Sequence, residues 1–197
     1  MCENIEQIKQ IIYKNYPKNL QWGSDEYFAS PEFINYTKQS RTLKDSKLKA
    51  NLLYLTKEIV QNYAVKDWTN FELYNDIEFK ILLHKGIDYM DDDIELLKAV
   101  NYKQDELILF ISLIDKYFYI LQLHTIFKDG RYYFYNINKN TDSVLVIQRL
   151  KDVFEKKGYK FINKEIAKII LPDVSTELKN FGEANIFDCL FNDITTL

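Results

Sequence analysis

The chain has 197 residues, of which 47% are hydrophobic and 28% charged, with a formal net charge of −3. That length supports one core burying about 70% of the unfolded surface, and the balance of residues excludes a disordered chain. So small an acidic excess gathers neither nucleic acid nor an anionic membrane, and neither is expected as a partner.

Fifteen tyrosines and thirteen phenylalanines against five glycines and three prolines describe a chain of bulky anchors with few sharp turns. Cys2 and Cys189 stand near opposite ends without a CxxC or metal-ligand spacing, the pattern of reduced thiols in a cytosolic protein. The segment from Glu3 to Gln10 is polar and charged, unlike a signal peptide, so a cytoplasmic location is expected.

In chain order, Ile5, Ile8 and Ile12 share one helical face, predicting an amphipathic helix from Glu3 to about Tyr16, stopped by Pro17. Gln21 to Ala29 reads as a loop. Ser30-Pro31-Glu32 combines a capping serine, a first-turn proline and a first-turn acid, and starts a helix running to Gln39. Leu48, Leu52, Leu55, Ile59 and Tyr63 define a longer helix over about 46–63. Ile77 to His84 reads as a strand, although its Ile81-Leu82-Leu83 run also fits a helix, and Asp91-Asp92-Asp93 opens a short helix reaching Val100.

The clearest β pattern follows. Leu107 to Ile114, Tyr117 to Phe127 and Arg131 to Ile137 form an antiparallel meander over about 107–137, with Asp129-Gly130 as its second turn and Asp115-Lys116 as a weaker first one. Leu107 to Phe127 is long and apolar enough to be mistaken for a membrane span, but Asp115 and Lys116 interrupt it and each half has strand length. Val146, Leu150, Val153 and Phe154 mark a helix over about 142–157, closed by Gly158. A short extended piece, a helical turn over Lys164 to Ile170 and a final strand from Ala184 to Phe191 complete a single α+β domain, 1–197.

The Asp129-Gly130 turn sets a register in which Phe127 faces Tyr132 and His124 faces Tyr135. One sheet face then carries Tyr117, Tyr119, Tyr132 and Phe134, and the other Gln122, His124, Tyr133 and Tyr135. Both faces are largely apolar, where an antiparallel sheet commonly leaves one wet. The expected arrangement has the N-terminal helices over one face and the 142–157 helix over the other. The alternative leaves part of one face open as a partner surface, a homodimer interface or a ligand pocket.

Chemical motifs are few. His84 and His124 are the only histidines, and the acids Asp88, Asp91, Asp92, Asp93 and Glu95 follow the first without any metal-binding spacing. Neither GxSxG nor a phosphate-cradling glycine loop occurs, and Cys189 alternates with Phe187 and Phe191 as a core residue would. No metal and no cofactor is expected. The basic run Lys38, Arg41, Lys44, Lys47 and Lys49 reads as a solvated helix connection.

In size, charge and general make-up the chain resembles the small acidic α+β proteins that bacteria use as immunity proteins against toxins. The resemblance covers composition and size and carries over no residue. Two functional expectations follow. The first is a non-catalytic protein docking another protein, such as a toxin, through the Tyr117, Tyr119, Tyr132 and Phe134 row. The second is a ligand-binding domain or enzyme using His124, Gln122 and Tyr135.

Overall fold

Alternating apolar residues from Leu107 onward build the antiparallel sheet around which the rest of the chain is arranged. The computed structural model describes residues 5–44, 46–72, 74, 76–90, 93–135, 141–195 and 197. Its strands are β1 (Ala64–Asp67), β2 (Asp76–Leu82), β3 (Lys103–Ser112), β4 (Tyr117–Lys128) and β5 (Arg131–Tyr135), in that spatial order and each antiparallel to the next. A sixth, β6 (Lys160–Phe161), runs parallel beside the start of β4.

The β4–β5 hairpin follows its turn chemistry. Asp129 and Gly130 both have positive φ, 53° and 73°, as a two-residue turn between twisted strands requires. The pairing is the one this turn dictates: Phe127 with Tyr132, Ile126 with Tyr133, Thr125 with Phe134 and His124 with Tyr135. Ile137 lies outside the described residues.

Helices cover the sheet on both sides. The helices are α1 (Ile5–Ile12), α2 (Asp25–Ala29), α3 (Pro31–Lys44), α4 (Leu48–Val60), α5 (Asp93–Ala99), α6 (Thr141–Lys156), α7 (Lys164–Ala167) and α8 (Ile186–Leu190). On one face Ile108, Phe110, Tyr117 and Tyr119 pack against Ile8 and Ile12 of α1 and Ile186, Phe187 and Leu190 of α8. On the other, Phe79, Leu109 and Phe118 pack against Leu52 and Val60 of α4 and Val146, Leu150 and Phe154 of α6. The rings of Phe118 and Phe154 are 5.2 Å apart. Each such side chain contributes about 1.5–3 kcal/mol through burial. The three-layer arrangement therefore holds, with the N-terminal helices divided: α1 covers one face, and α4 joins α6 on the other.

Ser30 starts α3 as its sequence requires, its Oγ accepting the Phe33 N–H at 3.2 Å. Three segments differ from expectation. The loop around Trp22 holds the short α2, whose cap is Ser24 Oγ accepting the Tyr27 N–H. β1 is a strand that no periodicity marked. The C-terminal strand is α8 instead, and among the described residues a single bridge between Ile170 and Asn185 is all the β pairing there. Its cause is a capping box: the Asn185 side chain accepts the Asp188 N–H at 3.0 Å, and the Asp188 carboxylate accepts the Asn185 N–H at 2.8 Å. Ile186, Phe187, Cys189 and Leu190 are all buried, so α8 shows no polar face by which its period could be read.

Candidate functional site

The aromatic row splits in two. Tyr117 and Tyr119, 0% and 3% exposed, lie beneath the α1–α8 layer and belong to the core. Tyr132 and Phe134 are 45% and 65% exposed, because the covering helices end before β5, where every residue is exposed. The exposed pair continues a ladder of rings. Tyr102 stacks on Phe127 at 6.2 Å, Phe127 meets Tyr132 at 4.9 Å, and Tyr132 lies parallel to Phe134 at 6.3 Å.

Tyr102 was not visible as a member of this ladder in the sequence. It sits between α5 and β3 with φ of 60°, and its carbonyl accepts the Phe127 N–H at 3.0 Å. That bond extends the β3–β4 ladder beyond Lys103 and lays the Tyr102 ring beside Phe127. Only the strand register reveals it.

The opposite face carries the row Asp105, His124 and Tyr135, aligned across β3, β4 and β5. His124 Nδ1 is 2.5 Å from Asp105 Oδ1, and its ring centre is 6.3 Å from that of Tyr135. On the other side of the aspartate, His84 Nε2 accepts the Asp105 backbone N–H at 3.1 Å. Both histidines of the chain thus flank one residue. Burial holds the His84 imidazole below its ordinary pKa, as does His124, against the pull of Asp105.

Gln122 shares this face two residues before His124. β6 pairs with Tyr117 and Phe118, and β5 with His124 to Lys128. Gln122 therefore lies where β4 has no strand neighbour on its outer side among the described residues. Its Nε2 is buried and makes no hydrogen bond among the described residues. His124, Gln122 and Tyr135 do come together on one face, though no hydrogen bond joins them among the described residues.

An imidazole oriented by a carboxylate is the base half of a nucleophilic site. The Cys189 thiol supplies no nucleophile here, since it is buried in the core of the other sheet face and its pKa is pushed well up by that burial. Among the described residues no three His, Cys, Asp or Glu side chains stand together as a metal-ligand set. Asp91 and Asp92 lie outside the described residues, and Asp93 opens α5. Two members of the basic run are engaged internally: Lys44 Nζ donates to the Phe71 carbonyl at 2.7 Å, and Lys49 pairs with Asp67 at 2.6 Å. No helix among the described residues is long and apolar enough to cross a membrane.

No family model, curated protein or solved structure matches the chain.

Proposed function

We propose that this is a non-catalytic interaction protein that receives an extended segment of another protein on strand β5. The observation that carries the reading is β5 itself: five exposed residues, four of them aromatic, paired among the described residues on one side only. An edge strand of this kind offers backbone donors and acceptors to an incoming strand, which supply affinity. The ladder of Tyr102, Phe127, Tyr132 and Phe134 supplies ring anchors of the type that dominate interface energies. The likeness of the chain to immunity proteins in size and charge makes a toxin the partner class to test first.

The test is affinity isolation from the native host with the wild-type chain and with Tyr132→Ala/Phe134→Ala. A protein retained by the first and lost with the second supports the reading. Recovery of the same proteins by both contradicts it. A second copy of the chain is the competing occupant of β5, and sedimentation over a range of concentrations separates the two.

A second reading rests on Gln122 Nε2, buried without a hydrogen-bond partner beside the Asp105-oriented His124. A small polar ligand accepting from Gln122 and meeting the free side of the imidazole would satisfy both groups. Its test is a screen of small polar ligands by the ring resonances of His124, repeated with Gln122→Leu.

A further inference from the structure

A lined cavity stands near the end of the sheet where β4 begins, away from β5. Seven aromatic residues wall it: Tyr16 after α1, Trp22 before α2, Tyr27 in α2, Phe33 and Tyr36 in α3, Tyr74 before β2, and Phe191 after α8. The rings brace one another, with Tyr16 and Tyr36 at 5.2 Å, Tyr27 and Phe33 at 5.4 Å, and Phe33 and Tyr36 at 6.0 Å. Tyr16 and Tyr27 are buried, so the inner wall is fixed by the core, while Trp22 and Tyr36 are only partly covered and border the opening.

The charge of the lining has one sign. Glu177, Asp188 and Asp193 contribute to it, and no Lys, Arg or His does. Asp193 Oδ2 already accepts from Thr176 Oγ1 at 2.7 Å and from the Leu178 N–H at 2.8 Å, which fixes its carboxylate in place. Asp188 is almost fully buried and accepts the Asn185 N–H. Among the described residues neither Asp188 nor Asp193 has a salt-bridge partner. Burial pushes the Asp188 carboxyl up to about 6, against the Asn185 N–H and the nearby Lys179 charge, with Asp193 adding to the rise.

The geometry points to a binding site for a methylated ammonium group, held by the ring faces of Trp22, Tyr36 and Tyr74 and balanced by Asp188 and Asp193. Ring faces attract cations through their quadrupole, most strongly where water is excluded. Methyl groups present an apolar surface to the rings, while the carboxylates, which already accept from Thr176, Leu178 and Asn185, balance the charge without needing an N–H from the ligand. The cavity measures about 60 Å³, room for roughly four or five water-sized groups and so for a substituted ammonium head. The protein's other tryptophan already carries a cation of its own, with Lys80 Nζ 3.9 Å from the centre of the Trp68 ring. Trp22 has no such internal cation among the described residues.

The experiment is a titration of the full chain with choline, with 3,3-dimethylbutan-1-ol as its uncharged isostere, and with a peptide containing trimethyllysine. Calorimetry is read beside the two tryptophan indole resonances. The expected result is saturable binding of a cation that shifts the Trp22 indole and leaves Trp68 in place. The isostere should bind about tenfold or more weaker, and Trp22→Leu and Asp193→Asn should each weaken the cation about tenfold. Binding of choline assigns the site to a free small molecule, and binding of the peptide alone assigns it to a modified lysine of a protein. Thermal unfolding of each variant shows that the fold is retained. The inference is overturned if neither cation saturates by about 10 mM, if the isostere binds equally well, or if both folded variants bind as the wild type does.

Discussion

Phe134 lies parallel to Tyr132, 6.3 Å between ring centres and 10° from coplanar, although both rings project from the exposed strand β5. Alternate residues of one strand share a face, so the pair is a direct product of strand period and needs no helix to hold it. Phe134→Ala should therefore cost the fold less than about 0.5 kcal/mol, the usual range for exposed positions. Tyr119→Ala, on the same sheet face but buried against Phe187 of α8, should cost about 3–5 kcal/mol. Urea unfolding of both variants measures the contrast.

The buried acids Asp76 and Glu78 should make stability fall as pH rises from about 4 to about 7. Burial pushes the Asp76 carboxyl from 3.8 up to about 7, with Glu78 adding to the rise and the Asn192 amide, 3.2 Å away, opposing it. Glu78 is likewise raised to about 7, chiefly by burial. Between their ordinary values and about pH 7 the folded state holds more protons than the unfolded state, so each added pH unit favours unfolding. His84 works in the opposite sense: its lowered pKa supports the fold fully above 6.5 and loses that support as pH drops below it. Asp76→Asn should isolate the acid's part. It should flatten the decline between about pH 4 and 7 and stabilise the protein at pH 8, by an amount on the order of a few kcal/mol. Chemical denaturation at several pH values checks this, and an unchanged slope in the variant would count against it.

Cys189 should resist thiol reagents until the molecule unfolds. It is buried in the α8 layer, and burial disfavours its thiolate, the reactive form. In a Cys2→Ser background, the modification rate should follow the urea unfolding curve. Rapid labelling in native buffer would show that α8 opens on its own.

His84 should be neutral above its midpoint and carry its proton on Nδ1, because Nε2 accepts the Asp105 N–H. Nitrogen-15 NMR of the ring distinguishes the tautomers directly. The midpoint should fall below 6.5, in keeping with burial of the ring.

The legible part of the fold was the part that turn and period specify locally. Asp129-Gly130 fixed the β4–β5 register residue by residue, and Val146, Leu150 and Phe154 announced the packing face of α6. The link between Asp105 and His124 was out of reach for a specific reason. A two-residue turn at Asp115-Lys116 would have set Leu107 opposite His124. The connection from Ser112 to Tyr117 is longer, so the register moves by two residues and Asp105 takes that place. A shift of two keeps every side chain on its face, and the alternation of apolar residues cannot report it. α8 was hidden because it is buried all round, and the cavity at Trp22 because its walls come from six separate stretches of chain.

The most direct test of β5 as the docking strand is the affinity of Phe134→Ala for the isolated partner, measured by titration calorimetry against the wild type. Truncating a ring anchor at the centre of an interface costs about 2 kcal/mol or more, roughly a thirtyfold loss of affinity. The expected result is a loss of that size with urea unfolding nearly unchanged. An affinity equal to that of the wild type would contradict it, and the partner would then have to bind elsewhere on the molecule.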